Sequence, residues 1–256
     1  MPPSEWSFLD FPGVLAFAHR GAHGPDAGGV PENTMAAFEA AVRMGYRYVE
    51  TDVHRTADGV LVAFHDDRLD RVTDRTGTIA DLPWSAVREA RLDGGQGVPL
   101  LEDLLGGWPD LRVNVDAKAD AAVEPLAEVI ERTGSIDRVC AGSFSGRRLT
   151  RLRRRLGPRL CTSLGPLGTV QLRLASLGVP VGRVPAACAQ VPVRRGPVPV
   201  VDRRFVAAAH RRALQVHVWT IDERAEMEHL LDLGVDGLMT DRPALLKEVL
   251  TARGAW

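Results

Sequence analysis

The sequence predicts a single α/β domain, a (β/α)8 TIM barrel, on the basis of two observations. Short apolar segments typical of strands alternate with segments of helical periodicity along most of the chain. The length of 256 residues suits one large barrel better than two separate domains. We therefore expect one domain over residues 1–256, in which helical crossovers join eight parallel strands.

The elements follow from the apolar pattern. Strands are predicted at 14–18, 47–53, 60–64, 111–116, 138–143, 159–163, 186–191, 215–219 and 236–240. Helices are predicted at 34–44, 121–132, 145–155, 203–213, 222–233 and 242–252. Nine strands are one too many for this barrel, so 60–64 is assigned as the returning arm of a hairpin with 47–53.

Composition narrows the function classes. A formal net charge of -1 argues against a surface that binds nucleic acid. No apolar stretch is long enough to span a bilayer, and the opening segment Met1–Glu5 is polar, so we expect a cytoplasmic protein without stable membrane insertion. Cys140, Cys161 and Cys188 are widely spaced without a zinc pattern and predict buried thiols in a reducing compartment. The oligomeric state stays open.

Polar side chains stand where the first predicted strands end. His19 follows the segment 14–18, and His65 follows 60–64. Glu50 and Asp52 are two residues apart on a strand, so their side chains point to the same face. Two carboxylates on one face repel each other unless a cation joins them, and oxygen ligands suit Mg²⁺ or Ca²⁺. The pattern predicts acid–base chemistry at a divalent cation.

The hairpin turn determines where His65 lies. If Asp58-Gly59 is a two-residue turn, His65 falls opposite Asp52; if Ala57-Asp58 is the turn, it falls opposite Glu50. Both registers put His65 on the carboxylate face, whereas a three-residue loop would turn it away.

These residues belong to a longer series of motifs that runs in order along nearly the whole chain. The series is His19-Arg20-Gly21-Ala22, Pro31-Glu32-Asn33-Thr34, Ala37-Phe38, Glu50-Thr51-Asp52-Val53, Thr56-Ala57-Asp58-Gly59, His65-Asp66, Leu69-Asp70-Arg71, Trp219-Thr220, Gly234-Val235-Asp236-Gly237 and Thr240-Asp241-Arg242-Pro243. It resembles the glycerophosphodiester phosphodiesterase family, within the superfamily of phosphatidylinositol-specific phospholipases C.

The resemblance implies roles for eight residues. His19 and His65 would be the catalytic acid–base pair. Glu50, Asp52 and Asp116 would be the metal ligands, although the family more often has glutamate in place of Asp116. The substrate would be bound by Arg20, Lys118 and Trp219, the last of which core packing would explain equally well.

The resemblance also implies a reaction and an insertion. The reaction is metal-dependent hydrolysis of a glycerophosphodiester, through a cyclic phosphate, to glycerol 3-phosphate and an alcohol. The cofactor would be Mg²⁺ or Ca²⁺, and the partner a small phosphodiester. The polar stretch 66–109 corresponds to an insertion near the barrel mouth.

Alternative functions and minor roles remain. One rival is a lysophospholipase D or phospholipase C-like enzyme acting on lipids, although the sequence offers no evident aromatic anchor; another is a barrel that binds phosphorylated ligands without turnover.

Glu32 and Asn33 are expected to cap the next helix and orient Arg20, and Asp222 to cap the helix at 223–233. The segment 191–201 is expected to be a solvated loop, with contact to an anionic substrate group as the lesser alternative.

Overall fold

A closed ring of parallel strands forms the centre of the computed structural model, which describes residues 6–256. The strands are β1 Leu15–Ala18, β2 Tyr48–Arg55, β3 Leu61–Ala63, β4 Arg112–Ala117, β5 Val139–Gly142, β6 Cys161–Thr162, β7 Cys188–Pro192, β8 Arg194–Arg195, β9 Val198–Pro199, β10 Gln215–Trp219 and β11 Gly237–Thr240. The opening segment 1–5, whose polar residues entered the expectation of a cytoplasmic protein, lies outside the described residues.

The strand order confirms the predicted barrel. Eight parallel strands run in the order β6-β5-β4-β2-β1-β11-β10-β7, and a parallel bridge between Ser163 and Cys188 closes the ring between β6 and β7. β3 pairs antiparallel with β2 as the predicted returning arm. β8 and β9 form a separate two-stranded hairpin within the segment expected to be a loop.

Helices cover the outside of the ring. They are α1 Met35–Arg43, α2 Trp84–Val87, α3 Leu101–Gly107, α4 Val123–Arg132, α5 Gly146–Leu156, α6 Pro166–Ser176, α7 Arg203–His210, α8 Arg224–Leu233 and α9 Pro243–Ala252. The six predicted helices are present, whereas α2, α3 and α6 were not predicted. α6 escaped detection because its apolar residues lie on both of its faces, so no helical period stands out. No helix within residues 6–256 is long and apolar enough to cross a membrane.

The stretch 66–109 divides into two parts. Residues of its first part, among them Leu69 and Ile79, form a small hydrophobic cluster with Phe64 of the preceding segment. Its last part includes α3, whose buried leucines Leu101 and Leu104 belong to the main core between barrel and helices. Within the stretch 66–109, α3 therefore packs with the barrel helices and not with the small cluster.

The barrel interior is layered. At its amino-terminal end Phe17 and Tyr48 pack with the three cysteines and with Phe8, which lies in the 3₁₀ helix Ser7–Leu9. The Phe8 carbonyl accepts a 2.9 Å hydrogen bond from the Tyr48 hydroxyl. Above them Gln190 donates to Asn114 at 2.8 Å and lies beside the buried ring of His217. The filled lower layers leave the carboxyl ends of the strands as the open end of the barrel.

The turn between β2 and β3 differs from both predicted registers. Val53 pairs with Ala63 and Arg55 with Leu61, so residues 57–59 form a three-residue loop. The Thr56 hydroxyl stabilises this wider loop, because it accepts from the Val60 amide at 3.0 Å and bonds to the Asp58 carboxylate at 2.6 Å. The prediction of a two-residue turn was therefore wrong.

Candidate active site

All eight predicted site residues line one cavity of about 810 Å³ at the carboxyl ends of the strands. A volume of this size is within the usual range for small-molecule sites. The residues are His19, Arg20, Glu50, Asp52, His65, Asp116, Lys118 and Trp219.

The register of two neighbouring strands brings the carboxylates together. Asp52 on β2 is paired directly with Asp116 on β4, and Glu50 lies one interior position below Asp52. The Lys118 ammonium lies 2.6 Å from Asp52 Oδ1 and 2.9 Å from Asp116 Oδ2. Burial lowers the pKa of Lys118, but the carboxylates of Asp116 and Asp52 outweigh burial and raise it to about 12. The lysine therefore stays positively charged between two acids.

The donor chemistry of this cluster fits a hard divalent cation. Asp116 Oδ1 is buried and has no hydrogen-bond partner among the described residues. Burial raises the pKa of Asp116, and burial together with the charge of Asp52 raises that of Glu50. Buried carboxylates of this kind call for positive charge, and an all-oxygen donor set suits Mg²⁺ or Ca²⁺.

The carboxylate oxygens of Glu50, Asp52 and Asp116 do not form a group in which all three lie within 4.8 Å of one another. Within residues 6–256, the groups of three ligand atoms that lie within 4.8 Å of one another are the three cysteines and the set His19, His23 and Asp241. In the carboxylate cluster, the ammonium of Lys118 occupies the place between Asp52 and Asp116.

His19 is held by an aspartate that sequence reasoning assigned no role. Asp241, which follows the last barrel strand, accepts from His19 Nδ1 at 2.6 Å and from His23 Nε2 at 3.0 Å. The other ring nitrogen of His19 faces Glu50 at 3.7 Å. Burial lowers the pKa of His19, but the negative charges of Glu50 and Asp241 outweigh it, so the pKa is raised.

Asp222 fixes Asp241 rather than capping a helix. Its Oδ1 accepts from the Asp241 amide at 2.8 Å and from the Thr240 hydroxyl at 2.9 Å. The residue at the start of α8 is Glu223, which makes no side-chain cap. Two sequence signals pointed to Asp241: its position at the carboxyl end of a barrel strand, and its place in the motif Thr240-Asp241-Arg242-Pro243.

The loop after β1 presents Arg20. Its guanidinium donates to Glu32 at 3.1 Å, and its Nε lies 3.5 Å from Asp52. The expected orienting role of Glu32 is thus confirmed, whereas the cap of α1 is Thr34, whose hydroxyl accepts from the Ala37 amide at 3.1 Å. Asn33 does not cap α1 either: its Oδ1 accepts from the Thr51 hydroxyl at 2.7 Å, beside Asp52.

His65 lines the cavity, although a three-residue hairpin loop was expected to turn its side chain away. The β2–β3 ladder ends at Ala63, so the chain turns before His65 and the register no longer decides its direction. Its Nδ1 is 2.6 Å from Asp66, which also accepts from Arg71 at 2.6 Å. Arg71 in turn donates to Glu32 at 2.6 Å, which ties this segment to the loop carrying Arg20.

One wall of the cavity is largely apolar and begins beside Lys118, whose ammonium lies 5.8 Å from the Phe144 ring centroid. Trp219 is half-buried and makes an edge contact with Phe144, with ring centroids 5.8 Å apart. Val170 and Leu174 of α6 continue this wall.

Two arginines also line this wall: Arg173, which is paired with Asp202 at 2.8 Å, and Arg195 of β8. The sequence did not predict that residues of α6 line the site. Arg195 lies in the segment 191–201, for which contact with an anionic substrate group was the lesser alternative, and this contact stays a prediction.

The remaining histidines have structural surroundings. His54 Nε2 bonds to the His65 carbonyl at 3.1 Å, and His217 is wholly buried against Gln215 Oε1 at 3.1 Å. His210 pairs with Asp236 at 2.8 Å, and His229 is exposed. The cysteines are free and buried, as predicted.

Comparison with known proteins gives a consistent match. Residues 19–245 match the model of the glycerophosphoryl diester phosphodiesterase family. The chain is 44% identical to the probable glycerophosphodiester phosphodiesterase 2 of Mycobacterium tuberculosis, over 97% of this chain and 95% of that protein.

Solved structures agree with this match. A glycerophosphoryl diester phosphodiesterase from Silicibacter pomeroyi superposes with a TM-score of 0.79 at 25% identity, over 97% of this chain and 98% of the other. A phosphodiesterase from Oleispira antarctica, solved with the product sn-glycerol-3-phosphate, superposes with a TM-score of 0.76 at 22% identity, over 93% and 97%. At 22% identity, the likeness to the Oleispira antarctica enzyme shows a shared fold only.

Proposed function

The chain belongs to the glycerophosphoryl diester phosphodiesterase family and is a glycerophosphodiester phosphodiesterase, and from that premise we propose how its own residues carry out the reaction. The substrate is a glycerophosphodiester, and the products are sn-glycerol 3-phosphate and an alcohol. The observation that carries the proposal is His19, fixed by Asp241 on one ring nitrogen and facing the carboxylate cluster with the other.

Charge on the phosphodiester is neutralised from two sides. Glu50, Asp52 and Asp116 would hold a divalent cation, which when bound supplies positive charge to the phosphate oxygens. The guanidinium of Arg20 and the ammonium of Lys118 line the same cavity and stabilise the negative charge that grows on those oxygens during the reaction. The carboxylate cluster, the unpartnered Asp116 oxygen and the all-oxygen donor set support Mg²⁺ or Ca²⁺ in this role.

The histidines move the protons. Because Asp241 engages Nδ1 of His19, Nε2 is the nitrogen available to remove a proton from the glycerol hydroxyl beside the phosphate. The hydroxyl oxygen then bonds to phosphorus while the bond to the departing alcohol breaks, and His65 gives that alcohol its proton. A water molecule opens the resulting cyclic phosphate with the two proton transfers reversed.

An intramolecular nucleophile favours this two-step route. A hydroxyl on the neighbouring carbon needs only to be oriented, which gives it a large effective-molarity advantage over water, of the order of 10⁵ M or more. A substrate with hydrogen in place of that hydroxyl should therefore bind and not be cleaved.

Phosphorus NMR tests the proposal directly. With glycerophosphocholine and Mg²⁺ or Ca²⁺ we expect a transient cyclic phosphate and then glycerol 3-phosphate, and with excess EDTA no turnover. Rapid cleavage of the deoxy analogue would refute the cyclic route, and full activity after dialysis against EDTA would refute the cation.

The apolar wall supports a second substrate class. Phe144, Val170 and Leu174 could contact the acyl chain of a lysophospholipid, which would make the enzyme a lysophospholipase D. A screen of glycerophosphocholine, glycerophosphoethanolamine, glycerophosphoglycerol and a lysophospholipid, compared by kcat/KM, separates the two classes.

A further inference from the structure

Exposed apolar side chains are concentrated on one side of the molecule. Of the eight large hydrophobic residues exposed among residues 6–256, seven lie between 144 and 198, and Trp256 is the eighth. Six of the seven form what we call the apolar rim: Phe144, Leu167, Val170, Leu174, Leu177 and Val198. Singly exposed apolar residues are ordinary, whereas a contiguous patch marks an interaction site.

Helix α6 supplies most of the apolar rim. Its inner face is buried against the barrel through Leu172 and Ala175. Its outer face carries Leu167 at 72% exposure, followed at intervals of three or four residues by Val170 and Leu174. A helix that is apolar on both faces is normally covered on both. The outer face is therefore expected to have an occupant.

The apolar rim is continuous with the entrance of the active site. Four of its members, Phe144, Val170, Leu174 and Val198, also line the cavity that contains His19. Whatever covers the rim therefore also lies at the place where substrate enters.

The same part of the chain is basic without any acidic residue. Between residues 138 and 201 there are twelve arginines and no aspartate, glutamate or lysine, in a chain whose formal net charge is -1. Several arginines of α5 pair with acids of neighbouring elements, such as Arg148 with Asp120. Arg194 and Arg195, beside Val198, are exposed. Positive charge next to an exposed apolar face is the combination that binds anionic lipid surfaces.

We propose that the apolar rim docks on the surface of an anionic lipid bilayer, with Arg194 and Arg195 near the headgroups and the active-site entrance towards the lipid. A second copy of the chain is a poorer occupant, because a symmetric contact between two rims would bring like charges together. The docking is peripheral, and it does not depend on the hydrolytic mechanism proposed above. Phe144, exposed to 66%, is the aromatic member of the apolar rim, and the sequence alone did not indicate that it is exposed.

Co-sedimentation with lipid vesicles tests the docking. The probe is sucrose-loaded vesicles of phosphatidylglycerol and phosphatidylcholine in equal parts, compared with phosphatidylcholine alone. We expect the wild-type protein to pellet with the anionic vesicles and to be released by high salt. The double variant Leu167→Ser, Leu177→Ser should bind at least about tenfold more weakly, because burying even one leucine changes an equilibrium by about that factor. Neither leucine lines the cavity, so hydrolysis of glycerophosphocholine should be unchanged and report a folded enzyme.

Two matched controls isolate the surface. Trp256→Ser removes an exposed apolar residue outside the rim and should leave vesicle binding unchanged. Arg194→Gln should weaken binding to the anionic vesicles, whereas Arg211→Gln, an exposed arginine after α7, should not. Wild-type protein that fails to pellet, or a leucine double variant that binds like wild type, would overturn the proposal. So would sedimentation velocity revealing a dimer that the leucine variant abolishes, without any vesicle binding. Since binding is read without turnover, its failure is distinct from failure of the hydrolytic mechanism.

Discussion

Gly21, between Arg20 and the packed loop behind it, provides a sharp test of how the site is built. Its φ is +81°, and a Cβ built on it would lie 2.8 Å from both the carbonyl carbon and the Cβ of Ala37 in α1. The loop that carries His19 and Arg20 therefore rests directly on the helix backbone. We expect Gly21→Ala to disturb both the stability of the protein and its activity.

The magnitude follows from two costs. A left-handed conformation costs an alanine about 1–2 kcal/mol, and forcing an additional methyl group into a packed place costs about 1–3 kcal/mol. Gly28 is the matched control, because it lies in the same loop with φ +71° and nothing within 4 Å of a built Cβ. Gly28→Ala should carry only the first cost, and the effect of alanine on the unfolded chain is common to both variants.

Urea unfolding of the two variants measures the difference. We expect Gly21→Ala to be less stable than Gly28→Ala by about 2 kcal/mol, or roughly 4–8 °C in Tm for a chain of this size. Its kcat/KM should fall by about 10–100-fold, since small displacements of site residues have effects of this order. Equal unfolding midpoints for the two variants would refute the reasoning, because the loop would then not be constrained by α1.

Three further predictions concern the site. His19→Ala and His65→Ala should each lower kcat by about 10²–10⁴-fold with unchanged circular dichroism, and the double variant should be little worse than the poorer single one; near-normal turnover of His65→Ala would move the role to His54 or His23. Asp241→Asn should lower kcat by at least about tenfold with little change in KM, since it removes the acceptor that orients His19; steady-state kinetics would contradict this if only KM moved. The hydrogen bond from Arg71 lowers the pKa of Asp66 to about 2, so the stabilisation from this carboxylate is complete above about pH 4 and is lost as the pH falls towards 2. The difference in free energy of unfolding between wild type and Asp66→Asn, measured in urea, should shrink over that range, and a constant difference would contradict the assignment.

The strands and the first half of the site were predictable because they depend on local pattern. The alternation that puts Glu50 and Asp52 on one face of β2 is a property of any strand. Asp116 was identified through the family resemblance, and like His19 it lies at the carboxyl end of a predicted strand, where barrel chemistry gathers.

The remainder depends on contacts between distant parts of the chain. The wider hairpin loop is held by the Thr56 hydroxyl, and its register alone would have placed His65 wrongly. Asp241 and Asp222 act on His19 from more than 200 residues away in sequence, which a reading of local periodicity does not detect. α6 was missed for a local reason, because apolar residues on both of its faces hide the helical period.

The three buried cysteines beside the closure between β6 and β7 give the barrel an internal reporter of its own opening. Cys161 lies on the two-residue strand β6 and Cys188 on β7, and Cys188 Sγ is 3.9 Å from that of Cys140. The segment that carries Phe8 packs against these thiols at the amino-terminal end of the barrel. A thiol reagent in solution can therefore reach the sulfurs only after the ring parts or this segment moves away, so the labelling rate measures how often this end of the barrel opens. A labelling rate that hardly changes with denaturant would mean local opening at this end, and a steep change would mean that the whole barrel opens at once.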